Sequence, residues 1–234
     1  MYFVEGNSDD QPYDDYNSRV SHHRIEPQVP SPFLPPCRAG TYTLVVDLDE
    51  TLGHYDEVKA NKLAEELANQ WMVRTGRQMT EQEIREQLPG IDFKLRPFAH
   101  EFLEQMSQFY EIVIFTAADQ QYADEILDKL DVNKRISHRL YRQHTLQFQN
   151  IYSGEVELHV KDLSRIGRDL SKTIIVDNLN DNFRLQRENG YHIKEWKGND
   201  PKDNELEVLM SLLRSIVVRG HDDVRPELAN LHTL

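Results

Sequence analysis

Three continuous apolar runs stand out along the chain, and each of them ends in polar residues. They are TYTLVVDLD (41–49), YEIVIFTAA (110–118) and SKTIIVDN (171–178). Their length and their content of valine and isoleucine predict strands buried on both faces. YHIKEW (191–196) is a candidate fourth strand, and the alternating segment 138–160, with SGE as a turn, predicts one or two antiparallel hairpins.

Apolar residues spaced three and four apart predict helices between these strands. A capping box of Thr80 and Glu83 and a first-turn Pro97 mark two of the helix starts. The predicted buried faces are Leu63, Leu67 and Trp71; Ile84 and Leu88; Phe98, Phe102, Met106 and Phe109; Tyr122, Ile126 and Leu130; and Leu206, Leu209, Met210, Leu213 and Val217.

The alternation of strands and helices predicts an α/β fold, a Rossmann-like three-layer sandwich around a central, mainly parallel sheet. We expect a small helical insert after the first strand and a small β-hairpin insert before the VKDL segment. Ligands of such folds bind in a crevice beyond the carboxyl ends of the strands, and VVDLD, IFTA and IVDN are expected to converge there.

Composition divides the chain into three predicted parts. Residues 1–40 are acidic, polar and proline-rich, which indicates a tail or linker, with ordering by packing over the domain as the alternative. Residues 41–218 form the predicted domain, with the insert at 55–92, and residues 219–234 form a C-terminal tail.

Charge and cysteine content exclude several classes of protein. With a net charge of −13, the chain is a poor candidate for direct nucleic-acid binding. One cysteine allows neither an internal disulfide nor a cysteine-based zinc site, which suits a reducing compartment. No apolar run reaches membrane-span length, and the acidic N-terminus resembles neither a signal peptide nor a mitochondrial targeting sequence. We therefore expect no membrane association and a nuclear or cytoplasmic location.

Asp47 and Asp49 lie two residues apart at the end of the first strand, so their side chains point to the same side. Two close carboxylates can hold a hard divalent cation such as Mg²⁺. They can also act as an acid–base pair in which one stays ionised and the other holds a proton. An ionised aspartate can attack a phosphoryl group, and a protonated neighbour can donate to the leaving oxygen.

The other strand ends supply what phosphoryl transfer needs around the phosphate oxygens. Thr116 offers a hydroxyl, Lys161 a fixed cation, and Asp177 and Asn178 oxygens for a metal or a lysine. Each of these residues alone is commonplace, as a strand-end cap, a solvated lysine or a turn. Their occurrence in order, each after an apolar run or in a suitable loop, favours one shared site.

DLDETL, IFTAA, VKDLSRIGRDL and VDN together resemble the haloacid-dehalogenase superfamily of phosphatases. Within it, LRPFAHEFLEQM, YADEILDKLD and LYRQH are similar to the branch that acts on the RNA polymerase II C-terminal domain, the NLI-interacting-factor-like group. The resemblance covers about residues 41–218, with a gap at 55–92.

The resemblance implies a role for each matching position. Asp47 would be the nucleophile and a Mg²⁺ ligand, and Asp49 the general acid/base with its backbone carbonyl on the metal. Thr116 would bind a phosphate oxygen and Lys161 would neutralise the nucleophile and the phosphate. Asn178 would be a side-chain metal ligand, and Asp177 would orient Lys161. On the substrate side, Thr51 would support the motif loop. Arg168 would lie near the substrate peptide or, equally, form a surface salt bridge.

Three functions remain open at this stage. The first is a Mg²⁺-dependent protein serine/threonine phosphatase that forms an aspartyl-phosphate, with the RNA polymerase II C-terminal domain as one candidate substrate. The second is a small-molecule phosphatase whose helical insert is a lid. The third is a relative that only binds proteins.

The insert replaces the β-rich flap that is usual in the family. It has three possible roles: a lid over the site, a docking surface with Trp71 and Met72 exposed, or a helix packed on the domain. For the apolar face of the insert we favour packing. The oligomeric state is left open.

Overall fold

The computed structural model describes residues 22–80, 83–84 and 93–231 of the chain. Five parallel strands form the central sheet, in the order β10-β9-β2-β5-β6. The strands of this sheet are β2 (Thr43–Val46), β5 (Glu111–Phe115), β6 (Ile136–Leu140), β9 (Thr173–Asp177) and β10 (Gly190–His192). The predicted α/β fold with a central parallel sheet is therefore confirmed.

Two small antiparallel sheets complete the strands of the described residues. In the first, β1 (His22–Ile25) pairs with β7 (Leu146–Asn150), which pairs with β8 (Val156–Val160). In the second, β3 (Gly53–Tyr55) pairs with β4 (Phe93–Leu95) and closes the base of the insert. The hairpin predicted within 138–160 is thus β7–β8, whereas residues 138–140 belong to β6 of the parallel sheet.

Five α-helices lie within the described residues, and most begin close to their predicted positions. They are α1 (Glu57–Thr75), α2 (Ala99–Met106), α3 (Gln120–Leu130), α4 (Glu205–Arg219) and α5 (Arg225–Leu231). None of the helices in these ranges is long and apolar enough to cross a bilayer.

Alternation along the strands sends side chains to two cores, one on each face of the sheet. Leu44, Ile114 and Val176 face the helical layer, where α2, α3, α4 and α5 pack. Val45 and Val113 face the opposite layer, which consists of 3₁₀ turns and of the segment around Leu34. The three layers fix the carboxyl ends of the strands rigidly at one edge.

The N-terminal segment packs on this domain from residue 22 onward. β1 forms the edge of the small sheet, and Leu34 is buried in the second core. Within residues 22–40, β1 and Leu34 thus pack on the domain, as in the alternative for this stretch, whereas residues 35–40 are exposed; residues 1–21 lie outside the described range. Beyond residue 218, α5 buries Leu228 in the main core, so the chain continues to pack where a tail was expected.

The first of the two helices predicted for the insert is α1. Among the side chains of α1 that the structure describes, Ala60 is buried, and Leu63, Leu67 and Trp71 are half-buried. The capping box of Thr80 and Glu83 is formed, with Glu83 N donating to Thr80 Oγ1 over 3.2 Å. The rest of the predicted second helix, including Leu88, lies outside the described residues.

Candidate active site

Asp47 is the first residue beyond β2, and the parallel pairing fixes its backbone. Its amide donates to the carbonyl of Val176 on β9 over 3.0 Å, which continues the β2–β9 ladder by one residue. The side chain is only 8% exposed. A carboxylate this buried needs charged or hydrogen-bonding partners to remain ionised.

Lys161 supplies the cation for this carboxylate. Its ammonium donates to Asp47 Oδ1 over 2.5 Å and to Asp177 Oδ2 over 2.6 Å, and its side chain is completely buried. Lys161 follows β8, and its amide donates to the carbonyl of Asn182. A lysine 114 residues from Asp47 in sequence is thus fixed between two strand-end carboxylates.

Asp177 ends β9 and is held by more than the lysine. Asn182 Nδ2 donates to both carboxylate oxygens, at 3.0 and 3.1 Å, and the amide of Leu179 donates to Oδ1 over 2.8 Å. Four hydrogen bonds, including the one from Lys161, therefore define the position of the Asp177 carboxylate. Asn182 was not identified from the sequence, because no spacing rule connects it with the strand end.

Thr51 joins the two strand ends through its hydroxyl. Its Oγ1 lies 3.2 Å from Asp47 Oδ2 and 3.4 Å from Asn178 Oδ1. A carboxylate oxygen and an amide oxygen therefore face the same small volume. Because Thr51 is fully buried, its side chain supports the loop and is not exposed for direct substrate contact.

Asp49 is half-buried and lies at the start of the turn that leads to β3. The hydroxyl of Tyr122 on α3 donates to Asp49 Oδ1 over 2.7 Å. The sequence placed Tyr122 on the buried face of a helix, and only the folded chain shows that its hydroxyl reaches this carboxylate.

Thr116 follows β5 at the same edge of the sheet. The β2–β5 register pairs Val46 with Ile114, so Thr116 lies one residue beyond the position level with Asp47. It is almost fully buried, and its hydroxyl accepts from the amide of Ala118 over 3.0 Å. The hydroxyl proton remains available for an oxygen in the crevice.

Arg168 is the one predicted site residue that the structure places elsewhere. Its guanidinium donates to both oxygens of Glu111, at 2.5 and 2.8 Å, and to the carbonyl of Pro35. Glu111 begins β5, whereas Thr116 follows its end, so this pair lies at the opposite edge of the sheet. The structure therefore places Arg168 in the salt bridge that was its equal alternative, away from the residues at the carboxyl edge.

Comparison with known proteins agrees with this geometry. The sequence profile of the family described as NLI interacting factor-like phosphatase matches residues 42–225. The chain belongs to this phosphatase family. The matched range includes every strand of the parallel sheet and all the side chains brought together at its carboxyl edge.

The relatives that are similar to this chain in sequence include proteins named as phosphatases and proteins named as subunits of a mitochondrial import translocase. CTD small phosphatase-like protein 3 of Caenorhabditis elegans is 40% identical over 182 residues, which are 77% of this chain and 56% of that protein. Mitochondrial import inner membrane translocase subunit tim50 of Aspergillus fumigatus is 34% identical over 187 residues, 80% of this chain and 30% of that protein. The chain thus spans little more than half of the first relative and under a third of the second.

A solved structure with the same fold is that of Fcp1, described as an essential RNA polymerase II CTD phosphatase. It superposes with a TM-score of 0.51 at 18% identity, covering 76% of this chain and 63% of that one. At this identity the likeness extends to the fold.

Burial is the largest single influence on the pKa values of Asp47, Asp49 and Lys161. It raises the pKa of Asp47 to about 7, against the attraction of Lys161 and with the repulsion of Asp177. Burial lowers the pKa of Lys161, but attraction to Asp177 and Asp47 outweighs it, so the net direction is upward and the ammonium stays charged. Burial also raises the pKa of Asp49, although the Tyr122 hydrogen bond opposes this.

The donor set fits a hard divalent cation. Asp47 and Asp177 share a single ammonium, so the pocket carries one excess negative charge when both are ionised. Within the described ranges there is no cluster of three or more His, Cys, Asp or Glu side chains arranged to hold a metal. What the edge offers is a carboxylate oxygen of Asp47 and the amide oxygen of Asn178, which suits Mg²⁺ because this ion binds through few protein oxygens and keeps several waters.

The raised pKa of Asp47 predicts an unusual dependence of stability on pH when no divalent cation is present. Between about pH 4 and 7, folded Asp47 still holds a proton that the unfolded chain, with an ordinary carboxyl pKa, has already released. The free energy of unfolding contributed by this group therefore falls as pH rises through that window. It should be measured by urea denaturation in EDTA from pH 4.5 to 7.5.

Asp47→Asn serves as the reference for this measurement, because it retains every other titrating group. The wild type should lose stability relative to the variant as pH rises, and added Mg²⁺ should reduce the loss. A difference that stays constant, or that grows in favour of the wild type, would show that Asp47 titrates normally.

Proposed function

We propose that the chain is a Mg²⁺-dependent protein phosphatase that hydrolyses phosphoserine and phosphothreonine through an aspartyl-phosphate on Asp47. The observation that carries this proposal is the buried Asp47–Lys161–Asp177 group at the carboxyl edge of the sheet. An aspartate positioned at a strand end, paired with a cation and adjacent to a second carboxylate, has the arrangement of an activated nucleophile.

In the first half-reaction, a carboxylate oxygen of Asp47 attacks phosphorus and the bond to the serine or threonine oxygen breaks. Asp49 gives its proton to that leaving oxygen, and its raised pKa supports this role. Lys161 remains protonated and compensates the charge of Asp47 and of the phosphate oxygens. The hydroxyl of Thr116 donates to one of those oxygens, so charge that develops in the transition state meets fixed donors.

In the second half-reaction, water attacks the phosphorus of the aspartyl-phosphate and Asp49 accepts its proton. Phosphate leaves, and both carboxyl groups return to their starting states. Asp47, Asn178 and the backbone carbonyl of Asp49 would hold Mg²⁺. When bound, the ion neutralises negative charge on the phosphate and lowers the barrier to attack by an anionic nucleophile.

The proposed substrate class is supported by the relatives named CTD small phosphatases and by the described architecture. The described strands and helices belong to the domain around the central sheet and to its insert, and in this proposal an extended phosphopeptide binds at the carboxyl edge. Phosphorylated RNA polymerase II C-terminal domain is one candidate within that class, because Fcp1, which has the same fold, is an RNA polymerase II CTD phosphatase.

A substrate panel tests the proposal. With Mg²⁺, the protein should hydrolyse para-nitrophenyl phosphate and should act on phosphoserine and phosphothreonine peptides with a higher kcat/KM than on sugar phosphates. EDTA should stop the reaction. Peptides from the polymerase C-terminal domain belong beside unrelated phosphopeptides in the same panel. Sugar phosphates turned over far faster than every peptide would favour the small-molecule reading, with α1 as its lid.

A protein-binding role is the second candidate, because a Tim50 subunit of an import translocase is 34% identical to this chain. All the positions proposed for catalysis are nevertheless filled here, which favours the enzyme. A wild type without turnover on the whole panel, together with retention of a stoichiometric partner, would reverse that preference.

A further inference from the structure

The loop that carries Asp47 and Asp49 is held from outside by two neighbouring segments. The amide of Trp196 donates to the carbonyl of Glu50 over 3.0 Å, and the amide of Arg96 donates to the carbonyl of Leu52 over 3.0 Å. Within the loop, Glu50 adopts a left-handed conformation with φ of 59°, which is costly for a residue with a side chain. Such a backbone keeps its shape only where its surroundings determine it.

Arg96 adds a third tie through its side chain. Nη1 donates to the carbonyl of Thr51 over 3.2 Å, and the guanidinium is completely buried. The other edge of the guanidinium forms a bidentate pair with Asp203, in which Nε donates to Oδ1 over 2.7 Å and Nη2 donates to Oδ2 over 2.8 Å. Asp203 lies just before α4, which packs in the main core.

Bidentate pairing makes this a rigid connection and not merely a charge contact. A planar guanidinium held at two points by a carboxylate has its third donor fixed in direction. That donor meets Thr51, whose own hydroxyl lies between Asp47 Oδ2 and Asn178 Oδ1. A chain of contacts therefore connects α4 with the site. It runs from Asp203 to Arg96, then to Thr51, and from Thr51 to Asp47 and Asn178 at the two strand ends.

We propose that Arg96 and Asp203 are positioning residues for the reaction: they hold Thr51 so that the oxygens of Asp47 and Asn178 stay together at the cation site. This inference rests on the proposed function. Neither residue touches the phosphate. They affect the affinity of the chain for Mg²⁺ and the orientation of the Asp47 carboxylate once Mg²⁺ is bound.

A second bidentate arginine–carboxylate pair in the same domain provides a matched control. Arg168 and Glu111 are joined by two hydrogen bonds, and the Arg168 side chain is also buried, at 1% exposure. Glu111 and Thr116 lie at opposite ends of β5, about 16 Å apart at about 3.3 Å per residue. Breaking this pair should cost stability of the same kind without moving the Thr51 loop.

The experiment compares Arg96→Lys and Asp203→Asn with Arg168→Lys and Glu111→Gln. Mg²⁺ affinity is measured by isothermal titration calorimetry, and kcat and KM for para-nitrophenyl phosphate at saturating Mg²⁺. Melting temperature places all four variants on one stability scale. We expect the Arg96 and Asp203 variants to lose roughly 10- to 100-fold in Mg²⁺ affinity or kcat, as residues that orient metal ligands typically do. KM should change less, and the control variants should stay within about twofold of wild type.

A purely structural role predicts a different pattern. All four variants would then melt earlier, yet at temperatures where they are folded they would bind Mg²⁺ and turn over substrate equally well, and this result would overturn the inference. If Arg96→Lys does not fold, Asp203→Asn, which keeps the side chain's shape, decides the question. A wild type that binds Mg²⁺ but hydrolyses nothing would refute the proposed function, while the Mg²⁺ titrations would still decide the role of Arg96.

Discussion

Replacing Asp47 by asparagine is expected to lower kcat by roughly 10⁴-fold or more, because loss of the nucleophile of a covalent mechanism removes the reaction pathway and not one contact among many. Asparagine has nearly the same shape, and its single oxygen can still accept from Lys161, while its amide nitrogen takes the place of the oxygen that faces Thr51 and can donate to that hydroxyl. It cannot form the acyl phosphate. The variant should be folded, as judged by circular dichroism, and should yield no phosphate above the background rate.

The same substitution should leave stability unchanged or improve it near neutral pH. Burial already disfavours the charged form of Asp47, and its removal leaves Lys161 paired with Asp177 alone. Asp131→Asn is a suitable control, because Asp131 is also buried but accepts from the backbone at the end of α3, over 2.6 Å from the amide of Arg135. It should keep near-normal kcat. Full activity in Asp47→Asn would rule out the aspartyl-phosphate.

Replacing Lys161 by methionine is expected to destabilise the fold by about 3–5 kcal/mol, since removing one partner of a buried ion pair leaves an uncompensated buried charge. Here two carboxylates, on Asp47 and Asp177, lose their shared cation. Against a typical total of about 5–15 kcal/mol, this is a large fraction of the stability. Turnover should also disappear, because the phosphate oxygens lose their fixed positive charge. Urea denaturation at pH 7 without Mg²⁺ measures the first effect.

Two further variants separate this mechanism from loss of packing. Adding Asp47→Asn to Lys161→Met removes one of the two carboxyl groups left without a cation, so at a pH high enough to ionise Asp47 the double variant should be more stable than Lys161→Met alone. Lys94→Met breaks the exposed pair with Asp56 and should cost less than about 1 kcal/mol. If Lys161→Met unfolds at the same urea concentration as the wild type, the buried lysine does not have the electrostatic role assigned to it.

Strand ends were the part of the site that the sequence predicted best. Apolar runs of buried strands locate the edge of a parallel sheet, so residues such as Asp47, Thr116 and Asp177 could be assigned to one edge without coordinates. Lys161 follows no strand of that sheet; the sequence offered it as a fixed cation from a loop, and the resemblance to a family implied its role beside the nucleophile. Its contacts with both carboxylates agree with that expectation, whereas its chemical role stays a prediction.

The residues that sequence analysis missed or misplaced depend on contacts between distant segments. Arg168 pairs with Glu111, 57 positions away, and nothing in the GRDL segment reveals at which edge of the sheet it lies. Arg96 belongs to the LRP segment that contributed to the family resemblance, but its partner Asp203 follows 107 residues later. Periodicity describes which face of an element is apolar and gives no information about such polar pairs.

The packing of the proline-rich N-terminal segment was also not predictable from the sequence. Its composition indicated a tail, because it has neither helical nor strand periodicity. Leu34 nevertheless fills the second core, and the amide of Phe33 donates to the carbonyl of Arg165 over 2.8 Å. Contacts of this kind come from the shape of the domain surface, which a local pattern does not encode.

A crystal structure of the protein with Mg²⁺ and beryllofluoride tests the central claim most directly. We predict that beryllium is bonded to the carboxylate of Asp47, that Lys161 and Thr116 contact the fluorides, and that Mg²⁺ binds to Asp47, Asn178 and the backbone carbonyl of Asp49. Beryllofluoride bound to another residue, or a cation bound away from these oxygens, would contradict the account.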